Sequence, residues 1–138
     1  IPLAIEPLHP MYCADRSVVN TLSQAVDLCD LLGKGVGVAC DVYHLWWDPD
    51  LQTQIARAGQ SRISAYHICD WLSDTKHLLL DRGMMGDGVI DLPQIRSWVE
   101  NTGYSGFHEV EIFSQENWWK RDPEEVLRIC IERHQKCS

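Results

Sequence analysis

The chain has 138 residues, of which 45% are hydrophobic and 23% are charged, and its formal net charge is −8. This length and composition predict one globular domain, residues 1–138, with a buried core, and they exclude a disordered chain. The acidic balance excludes nucleic acids and anionic membranes as expected partners, because the sequence has no basic stripe that would neutralise phosphates.

The sequence contains few features that would direct the chain to a membrane or to an oxidising compartment. No apolar run is long enough to span a bilayer and no signal segment opens the chain, so we expect a cytoplasmic location and no membrane contact. The six cysteines form no Cys-x-x-Cys pair, and several fall at apolar positions of helix or strand patterns. We therefore expect reduced thiols and no disulfide framework.

The first half of the chain contains two strand patterns, at residues 2–6 and 35–41, each followed by a loop and a helical pattern. Apolar residues spaced three and four apart predict the first helix over residues 19–32. The second helix is predicted to begin at Asp48-Pro49, an N-cap residue followed by proline, and to end before Gly59.

The second half repeats this order, with strand patterns at residues 62–69 and 107–113. The loop after the third strand is long and reaches Asp87, a length typical of functional lids and binding loops. Further helices are predicted from Asp91 and from Asp122-Pro123. Four strand–helix repeats indicate an α/β fold of four βα units with a parallel sheet.

Each predicted strand carries an ionisable residue near its carboxyl end. Side chains alternate across a strand, so Glu6, Asp41, His67 and Glu111 share the face that holds the smaller residues, with Glu109 as a competitor one layer deeper. Singly, each could be an ordinary exposed or capping residue. Their recurrence favours a divalent-metal site at the carboxyl edge, because a cation relieves the repulsion among the carboxylates. Oxygen-rich ligands favour Mn²⁺, Mg²⁺ or Co²⁺, with Zn²⁺ as a further candidate.

Tryptophans are concentrated in the loops that follow the strands, as Trp46-Trp47, Trp71 and Trp118-Trp119. Aromatic rings in such loops either stack on a sugar or cap the rim of a barrel, and the sequence leaves both interpretations open. We keep Trp47 as a substrate-binding candidate. His9, in the loop after the first strand, is expected to be solvated.

Five short segments, in this order, carry a family resemblance: Ile5-Glu6-Pro7, Asp41-Val42-Tyr43-His44, His67-Ile68-Cys69-Asp70, Gly86-Asp87-Gly88-Val89-Ile90-Asp91 and Val110-Glu111-Ile112-Phe113. With them the chain resembles the sugar phosphate isomerase/epimerase family, whose members are xylose isomerase-like TIM barrels. The resemblance covers almost the whole chain. It implies that the four βα units correspond to the C-terminal half of a TIM (β/α)8 barrel.

The resemblance also implies residue roles. It makes Glu6, Asp41, His67 and Glu111 the ligands of one divalent metal, and Glu6 and Glu111 the catalytic groups that remove and return a proton. It further implies a substrate-hydroxyl contact at His44.

The same family pattern points to Arg82 as a substrate-binding residue, although Arg82 lies farther along the chain from His67 than the smaller epimerases lead us to expect. Lys76 is the substitute if Arg82 points away.

The implied reaction is isomerisation or epimerisation of a sugar or sugar-like ketone by proton transfer through a metal-stabilised enediolate. Loss of a β-hydroxyl from the same enediolate would give an inosose dehydratase-like lyase, which is the alternative enzyme. A third hypothesis is a non-catalytic truncated barrel that binds metal or sugar, or only dimerises.

A complete barrel of this type has eight βα units, and the sequence contains four. Four parallel strands alone would expose two sheet edges and the inner face. We therefore expect either a fragment of a longer protein or a half-barrel that completes its sheet as a homodimer.

Overall fold

The computed structural model describes residues 1–138. The elements follow in the order β1 (Leu3–Ile5), α1 (Leu22–Leu32), β2 (Val36–Asp41), α2 (Val42–Leu45), α3 (Leu51–Arg62), β3 (Ile63–Ile68), α4 (Leu92–Asn101), β4 (His108–Val110) and α5 (Pro123–Cys137). Two 3₁₀ turns lie at Pro10–Tyr12 and Trp118–Lys120. None of the helices combines the length and the apolar character that a membrane crossing requires.

The four strands form one sheet in the order β1-β2-β3-β4, and every neighbouring pair is parallel. The predicted fold class is confirmed. In the register of the sheet, Asp41 lies opposite His67, and His67 lies opposite Glu109. Parallel pairing brings the carboxyl ends of all four strands to one edge, where the ionisable residues of the sequence pattern meet.

A core of 23 buried residues lies between the sheet and the helices. Val38 and Cys40 of β2 enter this core, as do Tyr66 and Ile68 of β3. These residues alternate with Ala39, Asp41 and His67 along their strands, so the alternation assigns opposite faces to the core and to the ionisable groups.

Helix α1 begins at Leu22, later than the predicted start at residue 19, because Thr21 forms a capping box. Its hydroxyl accepts the backbone N–H of Gln24, and the Gln24 side chain accepts the N–H of Thr21. Val19 is instead tied to the preceding loop, where its carbonyl accepts the N–H of Leu8.

The second helical region also departs from the prediction. Asp48 is buried and its carboxylate accepts the N–H of Asp50, so the helix begins at Leu51 and not at Asp48-Pro49. The predicted stop at Gly59 is a kink with φ of 59°, after which the helix continues to Arg62. The short helix α2 was not predicted. It forms because the Asp41 carboxylate caps it by accepting the N–H of Tyr43.

Strand β4 is shorter than the predicted strand at residues 107–113. Glu111 donates its N–H to Ile68, one step beyond β4, and the chain then changes partner. The carbonyl of Phe113 accepts the N–H of Arg82, and Ser114 pairs with Asp81 in an antiparallel bridge. The long loop after β3 is thereby joined to the end of β4.

Both edges of the sheet are open. Beyond β4, helix α5 contains no buried residue, and a groove separates it from β4 and α4. Large exposed apolar side chains include Leu3 on the edge strand β1, Leu31 and Leu32 at the end of α1, and Phe107, Leu127 and Ile131 in the groove beside β4. The sheet therefore presents an unpaired strand at each edge, with an apolar helix face beside β4.

Candidate metal centre

The four residues predicted as metal ligands converge at the carboxyl edge of the sheet. Each of Glu6, Asp41, His67 and Glu111 has a carboxylate oxygen or a ring nitrogen, and these atoms all lie within 4.8 Å of one another. His67 Nδ1 lies 3.6 Å from Glu6 Oε1 and 4.0 Å from Glu111 Oε2. Asp41 is buried, whereas the other three are partly accessible. The cluster is thus shielded from solvent at Asp41 and accessible to solvent, and so to a substrate, at the other three residues.

The donor set suits a divalent cation. Two ligands bound about 2.2 Å from one metal are at most about 4.4 Å apart, so adjustments of a few tenths of an ångström would suffice. The clearest sign is His67 Nδ1, which is buried and whose nearest acceptors, Glu6 Oε1 and Glu111 Oε2, lie at 3.6 and 4.0 Å, beyond the length of a normal hydrogen bond. A buried ring nitrogen held only by such long contacts is unusual in proteins, and a metal between it and the carboxylates would satisfy it.

Glu109 lies beside this cluster and not within it. Its Oε2 is 4.0 Å from Nε2 of His67, the ring nitrogen that faces away from Glu6, and its side chain is 59% exposed. Sequence parity put Glu109 and Glu111 on one face. The structure separates them, because Glu111 lies one step further towards the carboxyl edge.

Arg82 reaches the cluster, although its distance along the chain from His67 put this in doubt. Its Nη1 donates to Asp41 Oδ2 at 2.8 Å and to Glu111 Oε2 at 2.9 Å. The guanidinium lies 4.3 Å from the centre of the Tyr43 ring. Lys76, the substitute in the sequence analysis, is exposed, and its backbone N–H donates to Asp81. Arg82 is therefore the cationic side chain bound by the carboxylates.

His44 lies in α2 and faces the same centre. Its Nδ1 accepts the backbone N–H of His9 at 3.1 Å, which assigns the proton of the neutral ring to Nε2. Nε2 faces Asp41 Oδ2 at 3.7 Å, and its 3.3 Å approach to Nη2 of Arg82 is a contact between two donors and not a hydrogen bond. Burial, aided by the nearby Arg82 charge, lowers the pKa of His44 to about 4. The ring is thus a neutral donor that points into the site.

The two glutamates have pKa values shifted in opposite directions. The neighbouring His67 lowers the pKa of Glu6, whereas burial raises the pKa of Glu111, as does the nearby Asp41 charge. The Glu6 carboxylate in turn raises the pKa of His67. Two carboxyl groups with diverging pKa values suit the roles of proton acceptor and proton donor.

An aromatic wall flanks the site and is formed by His9, Tyr43, Trp46, Trp47 and Trp71. The His9 ring stacks on Trp71 at a centroid distance of 5.0 Å and meets the edge of Trp47 at 5.7 Å. Trp47 donates its Nε1–H to the carbonyl of His44. Trp118 and Trp119 lie elsewhere and line the groove beside α5.

Sequence reasoning missed His9, which it expected to be solvated. The structure places its ring in the aromatic wall and its backbone N–H on His44. The available signal was its position in the loop after β1, at the same edge of the sheet as the proposed ligands.

Comparison with known proteins agrees with this architecture. The family model described as xylose isomerase-like TIM barrel matches residues 1–130. The inosose isomerase of Bacillus licheniformis is 31% identical over 136 residues, which are 96% of this chain and 47% of that protein. The L-ribulose-5-phosphate 3-epimerase UlaE of Shigella flexneri is 26% identical over 132 residues, with 85% and 44% covered. The chain spans about half the length of the curated relatives it matches.

Solved structures give the same result. Protein SMc04130 from Sinorhizobium meliloti 1021 is 65% identical with a TM-score of 0.96, over 99% of this chain and 50% of that chain. The IOLI protein with a binding zinc atom is 26% identical with a TM-score of 0.81, over 97% and 48%. On the strength of the family model and these structures, the chain belongs to the xylose isomerase-like TIM barrel family.

Proposed function

We propose that this chain carries the metal site of a sugar isomerase or epimerase that acts on a small ketose or cyclic polyol ketone. One observation supports the proposal above all. Three carboxylates and an imidazole, from the ends of four parallel strands, place their ligand atoms within 4.8 Å of one another. Active sites of (β/α) barrels lie at this edge of the sheet.

The metal ligands in this proposal are Glu6, Asp41, His67 and Glu111. The zinc atom in the IOLI structure supports a divalent cation, and the oxygen-rich donor set also suits Mn²⁺, Mg²⁺ and Co²⁺. When bound, such a cation polarises a ketone carbonyl and stabilises the negative charge that develops on its oxygen.

Glu6 and Glu111 are the proposed proton carriers. Glu6, whose pKa is lowered by His67, is ionised near neutral pH and is suited to accept the proton from the carbon beside the carbonyl. The electron pair of that C–H bond enters the carbon–carbon bond as the carbonyl oxygen gains charge. Glu111, whose pKa is raised by burial, is suited to return a proton to the opposite face of the same carbon, which gives an epimer. Protonation of the former carbonyl carbon instead gives an isomeric ketone, provided that the hydroxyl proton of the neighbouring carbon passes to the former carbonyl oxygen.

His44, Arg82 and Trp47 are the proposed substrate-binding residues. The Nε2–H of His44 points towards the carboxylates and is suited to bind a substrate hydroxyl. Trp47 and the rest of the aromatic wall offer ring faces and edges on which the apolar face of a sugar ring can pack. Arg82 contributes a cationic N–H donor at the floor of the site.

Isomerisation is favoured over the lyase alternative by the names of the relatives, which include three inosose isomerases and an L-ribulose-5-phosphate 3-epimerase. Both named activities shift a proton next to a carbonyl carbon. The substrate class in the proposal is therefore a small polyol ketone, with inosose as the first compound to test.

We further propose that a second copy of the chain covers the open edges. Strand β4 of one copy would continue the parallel sheet at β1 of the other, and a two-fold arrangement would close eight strands into a barrel. The exposed Leu127 and Ile131 of α5 would then face Leu31 and Leu32 of the other copy's α1. Light scattering after size exclusion tests this arrangement, and a monodisperse monomer would refute it.

The chemistry is tested by proton exchange. The Zn²⁺-loaded chain is incubated with inosose in D₂O, and NMR follows deuterium incorporation beside the carbonyl and the appearance of an isomeric ketone. We expect exchange with the unmodified chain and with Glu109→Gln, and none with Glu6→Gln. Formation of a dehydrated product would assign the lyase reaction instead, and metal binding without any exchange would leave the non-catalytic hypothesis.

A further inference from the structure

Arg82 has a second property besides its suitability for substrate. One of its nitrogens, Nη1, contacts two of the proposed metal ligands, Asp41 and Glu111, at 2.8 and 2.9 Å. The Arg82 and Asp41 side chains are 3% and 0% exposed. The other oxygen of Asp41 accepts the N–H of Tyr43, so both of its oxygens are already engaged. The protein itself supplies one positive charge to these carboxylates.

Asp70 holds the loop that delivers this charge. Its buried carboxylate accepts four backbone N–H groups, from Trp71 at 2.8 Å, Gly86 at 2.9 Å, Gly88 at 2.8 Å and Ile90 at 3.0 Å. Its backbone exchanges two hydrogen bonds of 2.9 Å with Gly83, the residue that follows Arg82. The segment from Arg82 to Ile90 is therefore folded around one carboxylate at the end of β3.

The other side of the Arg82 backbone is also held. Its N–H donates to the carbonyl of Phe113 at 2.9 Å, beyond β4. At Gly88, an added Cβ would lie 2.1 Å from the Trp71 carbonyl oxygen and 2.6 Å from Asp70 Oδ1, so the close wrapping requires glycine. Main-chain bonds to both strands and the Tyr43 ring beneath the guanidinium leave Arg82 little freedom to turn away.

We propose that Arg82 is an internal counter-cation that competes with the divalent metal for Asp41 and Glu111, and that Asp70 is the positioning residue that keeps it there. The inference rests on the proposed metal site. Three carboxylates attract a dication strongly, and a guanidinium within hydrogen-bond distance of two of them offsets part of that attraction. The device keeps the carboxylates paired when no metal is bound, and it weakens metal binding so that the metal exchanges with solution.

The test is calorimetric titration of the full chain with Mn²⁺ at low ionic strength. Arg82→Gln removes the charge and keeps amide donors, and Arg82→Lys keeps the charge. Arg128→Gln is the matched control, because Arg128 is an exposed arginine that pairs with Glu132. We expect Arg82→Gln to bind Mn²⁺ at least about tenfold more tightly than the unmodified chain, and the other two to stay within about threefold.

Asp70→Asn provides the second measurement. As a single substitution it should tighten Mn²⁺ binding severalfold. Combined with Arg82→Gln, it should not change Mn²⁺ affinity further, because Asp70 acts through Arg82. A purely structural role for Asp70 would lower the thermal midpoint of both proteins without this dependence. If circular dichroism shows that Arg82→Gln is unfolded, the Mn²⁺ affinity of the Asp70→Asn single variant decides whether Arg82 competes with the metal.

Equal or weaker Mn²⁺ binding by folded Arg82→Gln overturns the counter-cation proposal and leaves the metal site intact. The proposal is also overturned if that variant does not fold and Asp70→Asn binds Mn²⁺ no more tightly than the unmodified chain. Absence of binding in both the unmodified chain and Arg82→Gln removes the metal site and, with it, the inference.

Discussion

Replacing Arg82 with glutamine should cost much more stability without metal than with it. Asp41 is buried, and its charged hydrogen-bond partner is Arg82. Removing one partner of a buried ion pair typically costs about 3–5 kcal/mol, because an uncompensated charge stays in the interior. The amide donors of glutamine replace part of the lost hydrogen bonding, and water can solvate the partly exposed Glu111. We therefore expect a loss of about 3 kcal/mol in the free energy of unfolding of the metal-free chain.

A bound cation should restore about half of that loss. A ligand at 100 times its dissociation constant stabilises the folded state by about 2.7 kcal/mol. Because Arg82→Gln is expected to bind metal more tightly, the same metal concentration stabilises the variant more than the unmodified chain. Tenfold tighter binding adds about 1.4 kcal/mol to the variant relative to the unmodified chain, so the gap between the two should shrink from about 3 to about 1.6 kcal/mol at saturating Mn²⁺.

Urea unfolding followed by far-ultraviolet circular dichroism, with chelator and with excess Mn²⁺, measures both values. An equal loss under the two conditions would contradict the role assigned to Arg82. A loss below about 1 kcal/mol without metal would show that the Arg82–Asp41 pair contributes little, as exposed pairs do.

Three further predictions concern the loop, the aromatic wall and the far edge of the sheet. Gly88→Ala should lower the free energy of unfolding by about 1–3 kcal/mol, because its Cβ would lie 2.1 Å from the Trp71 carbonyl oxygen; an unchanged urea midpoint would contradict the wrapped loop. Trp47→Leu should raise the KM for inosose by about 2- to 10-fold while Mn²⁺ affinity stays constant, with Trp119→Leu as the control; equal effects of the two would remove Trp47 from the site. Burial lowers the pKa of His108, so the folded chain takes up its proton at lower pH than the unfolded chain. Stability should therefore fall as the pH drops through 6.5 towards the folded pKa, and His108→Gln should flatten this dependence in urea midpoints between pH 7.5 and 5.5; parallel curves would exclude His108 as the source.

Much of the fold was predictable because it depends on local patterns. Alternation along β2 and β3 put Asp41 and His67 on one face of the sheet, and the structure places Val38 and Tyr66 in the core on the other. Parallel pairing then brought the strand ends together without any further information. The convergence of Glu6 and Glu111 with these two follows from the same rule, which needs only the strand positions and their order.

The details that were missed depend on contacts between distant residues. The contact of Arg82 with Asp41 follows from the wrapping of a long loop around Asp70, whose partners lie up to 20 positions away. No spacing rule predicts such a contact. His9 and helix α2 were missed for a related reason, since each is organised by a side-chain or backbone hydrogen bond at a strand end and not by periodicity.

The boundaries of elements were displaced where a polar side chain competes for backbone groups. Thr21 moves the start of α1, and Asp48 moves the start of α3. Strand β4 ends early because the loop that carries Arg82 takes the hydrogen bonds that a longer strand would have offered to β3. Each of these boundary shifts is caused by a hydrogen bond that the spacing of apolar residues does not reveal.

Calorimetric titration with Mn²⁺ and Zn²⁺ tests the proposed metal centre most directly. The comparison uses the unmodified chain, Glu6→Gln, His67→Ala and the matched control Glu109→Gln, whose carboxylate lies outside the cluster. We predict one bound metal per chain, at least about tenfold weaker binding in Glu6→Gln and His67→Ala, and no change in Glu109→Gln. Absence of binding in the unmodified chain, or equal losses in all three variants, would contradict the proposed centre.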